Sequence, residues 1–399
     1  AHLRLSSVLV VGALALLVTG LAPVQGQADR VVNDGTADPS PAPTKCDFME
    51  SDYTSIQAAV DNATAGQTIL VCPGTYTENV TVSESVTLQG ANAGTPGNGS
   101  RGVETVVDAG TGVMDASMIV TAENVTLDGF QFKGNAGVLV DGIPAFGATG
   151  LTIQNNRFIN DGAGASIKNV SGTGSLDINN NLIDLTQQFF DSNSDGTPDA
   201  PTAGFNLRTL DLATPPSLTN NVFEDTNSDG LTAFYGIIFD GVNGTSGTNS
   251  GGPATITGGS IFGTAQAIAI LDGQGGDASI GATNDSHEPD ESDFEISGVT
   301  MSGFTGDATN IGGVSGNSIG GIDFHAGVFV YTGGNSGEPE SAPITTTGTI
   351  TNVTVDGTGT AGGDGRPSAG LYFGGFSGEF GDNNFAQSVT VDNATLTGN

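Results

Sequence analysis

The strongest chemical signal in the chain is Asp191–Asp199, DSNSDGTPD. Asp191, Asn193, Asp195 and Asp199 place hard oxygen donors at positions 1, 3, 5 and 9 of a loop. The Thr197 carbonyl falls at position 7, and Gly196 permits a sharp turn. Calcium is bound by oxygens at this spacing, so these five residues are the expected ligands of a divalent cation, with calcium as the cofactor. The bidentate Glu that closes a twelve-residue calcium loop is replaced by Thr202, so the cage is incomplete. The same residues also suit a solvated acidic turn. Asp225, Asn227 and Asp229 repeat the opening of the pattern, but Ala233 stands at position 9.

Basic groups that could act on a sugar acid are scarce. Arg157, Arg208, Lys133 and Lys168 are the candidates. Arg157 precedes an inward-facing Phe158, so alternation along a strand turns it to solvent as a surface charge. His287 lies in an acidic loop, SHEPDESD, and His325 stands alone after an apolar run. Neither has partners for a triad or a zinc site.

Charge narrows the partners. The chain has 43 Asp and Glu against 9 Lys and Arg, a formal net charge of −34. Nucleic acid and anionic membrane surfaces are excluded as partners, and cations are favoured. Residues 1–28 read as a secretory signal: His2 and Arg4, an apolar run Val8–Leu17, then the small residues Gly26 and Ala28. The run is short for a membrane span. The expectation is a secreted or cell-surface protein with no membrane span after cleavage. In that compartment the two cysteines, Cys46 and Cys72, form one disulfide. The alternative is a pair of buried thiols. Residues 29–45, rich in Pro, Ala and Asp, read as a disordered linker.

The elements that must carry these groups follow a short rule. An apolar residue is followed two places later by Asn or Gly and five places later by another apolar residue. Ile153/Asn155/Phe158 obeys it, as do Leu127/Gly129/Phe132, Ile178/Asn180/Ile183 and Leu218/Asn220/Phe223. Ile256/Gly258/Ile261, Ile296/Gly298/Met301, Ile350/Asn352/Val355 and Val391/Asn393/Leu396 complete the series, with a degraded copy at Leu88/Gly90. Asn and Gly enter the left-handed backbone region at least cost, so the rule describes a strand, a tight bend and a second strand. A unit this short cannot bury its apolar face alone, so copies must stack about 4.8 Å apart in parallel ladders. The fold class is all-β, a parallel β-helix or solenoid, with Asn side chains piled at the bend.

A second strand signal recurs at 137–140 (GVLV), 204–207 (GFNL), 236–239 (GIIF), 267–270 (AIAI), 321–324 (GIDF) and 370–373 (GLYF). Insertions rich in Gly, Ser, Asn and Asp separate the copies and read as external loops. Residues 54–66 predict the one helix. Thr54 and Gln57 have capping-box spacing, Ile56, Ala59, Val60 and Ala63 share a face, and Gly66 stops it. It is placed to cover the open first coil. The domain runs from 46 to 399. Its last copy ends at Leu396 with no capping element after it, so more chain or another chain is expected to cover that end.

The stretch Ser55–Gly90, SIQAAVDNATAGQTILVCPGTYTENVTVSESVTLQG, resembles the opening of right-handed parallel β-helix proteins of the pectin-lyase-like superfamily. The repeats resemble that superfamily's coils, and together the likeness covers Cys46 to Asn399. It implies a right-handed solenoid with an N-terminal capping α-helix; many chemistries and many noncatalytic proteins share that scaffold. The Gly-His-Gly and Arg-x-Lys motifs of its polysaccharide hydrolases are absent. GTYTE (74–78), QAIAI (266–270), DFHAG (323–327) and GRP (365–367) resemble motifs of pectin methylesterases. That likeness would make Asp323 a catalytic carboxylate and Arg366 a substrate contact. The Gln-Asp motif supplying the acid is missing, and repeat composition accounts for the fragments. The expected function is a noncatalytic surface, adhesive or carbohydrate-contacting module, whose partners would be polysaccharide or cell-surface glycan and divalent cations. The alternative is a polyuronate lyase, a glycoside hydrolase or an esterase. That alternative requires carboxylates and an Arg or Lys to converge from neighbouring coils, and no such cluster is expected.

Overall fold

The computed structural model describes residues 29–35, 46, 52–109, 116–134, 136–141, 149–159, 163–185, 189–190, 200–224, 233–242, 251–272, 292–304, 325–333, 344–357, 368–376 and 385–398. Three long parallel sheets of 11, 10 and 9 strands form the walls of one right-handed β-helix. The chain visits the walls in turn. Leu151–Gln154 lies in the first sheet, Arg157–Phe158 in the second and Ala163–Gly172 in the third; Leu176–Asn179 then returns to the first.

Every copy of the rule falls into one register. Leu88, Leu127, Ile153, Ile178, Leu218, Ile256, Ile296, Ile350 and Val391 are successive partners in the first sheet. Phe132, Phe158, Ile183, Phe223, Ile261, Met301, Val355 and Leu396 are successive partners in the second. All of these side chains except Val391 and Leu396, which are exposed, fill the interior, where Phe130, Phe132, Phe158, Phe205 and Phe223 form a run of ring contacts 5.2–6.1 Å apart. Full burial of such a side chain stabilises by roughly 1.5–3 kcal/mol, which is why the apolar positions hold the register.

The bend residues behave as their types require. Gly129, Asn155, Asn180, Asn220, Gly258, Gly298, Asn352 and Asn393 all have φ between 51° and 82°. At the bend itself one expected pair forms, Asn393 Nδ2 donating to Asn352 Oδ1 at 2.6 Å, but the buried side-chain ladder is made one residue later than expected. Asn156, Asn181 and Asn221 are buried, and their amides link one coil to the next. Asn156 N–H and Asn181 N–H donate to the Oδ1 of Asn181 and Asn221, at 2.9 and 3.1 Å. The Nδ2 groups of Asn156, Asn181 and Asn221 donate to the carbonyls of Leu127, Ile153 and Ile178. The left-handed residue turns the chain; the next residue points inward, where unpaired polar groups are costly and a ladder is enforced.

The helix is shorter than expected, Ile56–Asp61, and Ser55 rather than Thr54 caps it by accepting from Ala58 N–H. Glu78 accepts from Ile56 and Gln57 N–H at 2.8 and 3.0 Å, which satisfies two more orphan donors. Ile56, Ala59 and Val60 seal the interior. The Gln57 amide accepts from Thr81 N–H and donates to Thr81 O, pairing the outer edge strand of the third sheet. This is edge protection by a side chain.

One reading is corrected at this end. Arg30–Val32, expected inside a disordered linker, is the edge strand of the first sheet, paired in register with Ile69–Val71. Three residues of alternating type carry little sequence signal, and the pairing is set by tertiary contact. The Cys46–Cys72 disulfide forms as expected, with the Cα atoms 5.5 Å apart, and both sulfurs lie in a small cluster with Val31. The signal segment 1–28 lies outside the described residues.

The third sheet carries the longest strands, up to 10 residues. Four of the six recurring copies fall in it as expected, and so does 370–373. At the remaining coil, residues 327–330 (GVFV) take the register position, with Val328 paired to Ile268 and Leu371; residues 321–324 lie outside the described residues. The two-residue bend from the first to the second sheet stays short in all coils but one. The long insertions instead enter at the two ends of third-sheet strands.

Candidate functional site

The two faces of the third sheet differ. Val138, Val140, Ala165, Ile167, Phe205, Leu207, Ile237, Phe239, Ile268, Ile270, Val328 and Val330 belong to the interior. The residues between them stand on the outer face, because side chains alternate along a strand. One outer row reads Ser166, Asn206, Ile238, Ala269, Phe329 and Tyr372 in register. Two places on, Lys168, Arg208, Asp240 and Leu271 are partners, preceded by Asp141. A third row, Ala203, Tyr235, Gln266 and Ala326, lies toward the strand starts, beyond a break in the alternation where Gly204 and Gly236 face Phe223 and Ile261 of the interior.

This outer face has its own buried cluster. Ala203, Tyr235, Ile238, Ala265, Ala269, Leu271, Ala326 and Phe329 pack together, with Tyr372 against them. The Phe329 and Tyr372 rings stack, with centroids 5.2 Å apart and planes 9° apart. Arg208 Nε lies 3.4 Å from Asp240 Oδ2, an ion pair between adjacent coils with both side chains largely buried. Burial pushes the Tyr235 phenol well above its ordinary range, and the Arg208 guanidinium partly offsets this. Asn206 is 9% exposed and Gln266 2%, yet Asn206 Oδ1 and Gln266 Oε1 accept no hydrogen bond. A buried acceptor left in this state costs about 1–3 kcal/mol.

Convergence of an Arg, a Lys and a carboxylate from neighbouring coils was not expected, and the structure contains it in Lys168, Arg208 and Asp240. Sequence reasoning had Arg208 and Lys168 as isolated basic groups and did not consider Asp240. The signal was available: each sits one residue past an inward Ile167, Leu207 or Phe239 in the second strand pattern.

Arg157 also departs from expectation. It is not a free surface charge but is held by a strap, residues 91–104, laid along the corner between the first and second sheets. Arg157 Nε donates to Gly97 O at 2.7 Å, and its Nη1 lies 3.4 Å from Glu104. The deeply buried Arg101 pairs with the same carboxylate at 2.8 Å and donates to the carbonyls of Thr95 and Asn155. Gly97 has no room for a side chain: a Cβ there would sit 2.3 Å from Asn156 O. GTYTE is likewise structural, with Tyr76 Oη donating to the Cys72 carbonyl and Glu78 capping the helix.

Asp191–Asp199 lies outside the described residues, as do Asp225–Asp229, His287, Asp323 and Arg366. Phe189–Phe190, before that segment, pairs antiparallel with Ala200–Pro201, after it. Among the described residues no group of three or more acidic, His or Cys side chains could hold a metal. No helix among them is long and apolar enough to cross a membrane.

No family model matches the chain. A segment of 110 residues is 34% identical to a protein named cell surface glycoprotein from Methanothermus fervidus. The match takes in 27% of this chain and 16% of that protein, so the chain spans about one-sixth of the length of the relative it matches. Two solved structures are similar. The catalytic unit of an α-1,3-glucanase from Streptomyces thermodiastaticus is 16% identical, over 92% of this chain and 69% of that one, at a TM-score of 0.30. The A-module of a mannuronan C-5 epimerase from Azotobacter vinelandii is 13% identical, over 86% of this chain and 94% of that one, at a TM-score of 0.18.

Proposed function

We propose that the protein is an exported, surface-associated β-helix that contacts polysaccharide along the outer face of its third sheet and does not turn it over. The observation that carries this reading is the meeting on that face of Lys168, Arg208 and Asp240, in register from neighbouring coils, with the stacked rings of Phe329 and Tyr372. The long insertions enter at the two ends of third-sheet strands, whereas the bend between the other two sheets is two residues long in all described coils but one. The stretch shared with a protein named for the cell surface supports the location. The Asp191–Asp199 loop would hold calcium as a structural ion on one of those insertions, through Asp191, Asn193, Asp195, the Thr197 carbonyl and Asp199. The test is cosedimentation of purified protein with insoluble glucans, mannans and polyuronates, combined with assays for reducing ends and unsaturated products. Binding without product is expected; failure to bind any glycan would overturn the reading.

A second reading, an enzyme on the same scaffold, is favoured by the Lys168–Arg208–Asp240 row. A base beside a cation is the arrangement that proton abstraction next to a carboxylate needs. It predicts product release from a polyuronate that Arg208→Ala abolishes, and absence of product from all substrates removes it.

A further inference from the structure

We infer that this fold is built for a medium of concentrated salt: its surface needs a dense atmosphere of small, mobile cations, and in dilute buffer its own charge opposes folding. The chain carries 43 acids against 9 bases, a formal net charge of −34. A charge so far from zero destabilises the compact state, because folding brings like charges together. The sequence sets the sign of that charge. The structure shows that the bases do not offset it at the surface.

Among the described residues no Lys or Arg is exposed: Arg30, Arg101, Lys133, Arg157, Lys168 and Arg208 are all at least partly buried. Four of them are committed to partners within the fold. Arg101 and Arg157 converge on Glu104 at 2.8 and 3.4 Å, and Arg208 meets Asp240 at 3.4 Å. Arg30 donates to Gln67 Oε1 and Tyr53 Oη at 3.1 and 2.6 Å. Glu104 and Asp240 are themselves largely buried, so these ion pairs neutralise acids of the strap and the third sheet and leave the exposed acids unopposed.

The exposed acids are spread over the molecule. Asp61 lies on the cap helix, Glu123 between a strand of the third sheet and one of the first, Glu295 on the first sheet and Glu224 just past a strand of the second. A basic macromolecule needs its complementary charge gathered on one face, and here it is not. A bound metal needs several ligands at one point, and among the described residues no three acidic, His or Cys groups meet. Charge dispersed in this way is neutralised by an ion atmosphere. The Debye length falls from about 10 Å at 0.1 M salt to about 3 Å at 1 M. Screening therefore reaches the spacing of the coils, about 4.8 Å, only as the salt approaches molar concentration.

The experiment is urea denaturation of the full chain in excess chelator, in sodium chloride from about 0.05 to about 2 M, beside the triple variant Glu123→Lys, Glu224→Lys, Glu295→Lys. These three glutamates are exposed, and the variant carries −28 in place of −34. The expected wild-type midpoint climbs with salt, by roughly 1 M urea or more across the range. The variant should be the more stable protein in dilute salt and should gain less from added salt. A wild-type midpoint that stays flat or falls overturns the inference. A variant that gains as much as the wild type overturns it too, because salt would then be strengthening apolar burial and not screening charge. Recovery of the whole gain by millimolar calcium, with chelator and sodium chloride left out, would mean discrete ion sites and also overturns it. Neither protein meets a glycan in these measurements, so the polysaccharide reading does not depend on their outcome.

Discussion

Asn181 and Asn206 are the same side chain in neighbouring walls of one solenoid, and their amides meet opposite fates. Asn181 sits at the corner between the first and second sheets. Its Oδ1 accepts from Asn156 N–H, and its Nδ2 donates to Ile153 O and to Asn221 Oδ1 at 2.9 and 3.0 Å. Asn206 is buried to a similar degree on the outer face of the third sheet, and its Oδ1 has no donor. At this corner three successive coils carry an inward asparagine, so Asn181 has a copy of itself within reach on either side, in Asn156 and Asn221. The third-sheet face has no such recurrence: Ser166, Asn206, Ile238, Ala269 and Phe329 follow one another in a single row. Regularity satisfies the corner, and its loss leaves the face with two buried amide oxygens, Asn206 Oδ1 and Gln266 Oε1, that accept no hydrogen bond.

The largest effect should come from breaking the corner. Asn181→Leu removes four hydrogen bonds and orphans the buried N–H of Asn156, at a cost of about 4 kcal/mol. A fall in the urea midpoint of the purified variant, with unchanged slope, checks it. Next is the Cys46–Cys72 bond, which ties the start of the first sheet across 26 residues. Replacing both with Ser should cost about 3 kcal/mol, and the loss should spare the third-sheet face, read as unaltered glycan binding.

Chelation comes third. If calcium organises the Asp191–Asp199 insertion, excess chelator lowers the melting temperature by a few degrees, an effect of about 2 kcal/mol at saturating metal, and added calcium restores it. An identical melt with and without chelator removes calcium from the account. A fourth effect concerns pH. Tyr235 ionises near pH 10 in the unfolded chain and only at higher pH when folded. The unfolded state therefore sheds its proton first, so the contribution is intact below pH 10 and is lost as pH rises past it. Tyr235→Phe should flatten that alkaline limb in a pH series of urea melts.

Much of the corner was legible because one residue type does one job there. Left-handed φ selects Asn or Gly, and the apolar residues two before and three after it report the walls. The ladder was misplaced by one position because Asn155 and Asn156 are both asparagine, and composition cannot say which one turns and which one points inward. Arg30–Val32 and the strap at 91–104 were hidden for another reason: each is held by contacts far along the chain, Arg30 to Ile69 and Gly97 to Asn180. The candidate face was hidden for the same reason. Lys168, Arg208 and Asp240 lie in different coils, separated by insertions of unequal length, so no fixed spacing connects them until the register is known.

The smallest expected effect is also the sharpest contrast. Asn206→Leu deletes an acceptor that nothing satisfies, so the free protein should be within about 0.5 kcal/mol of wild type, or more stable. Urea denaturation of Asn181→Leu and Asn206→Leu side by side, with no sugar present, tests the division between scaffold and site most directly. The expected result is a loss of about 4 kcal/mol at the corner and none on the third-sheet face. Equal losses in the two variants would mean that Asn206 is as much a part of the scaffold as Asn181, and the division would be contradicted.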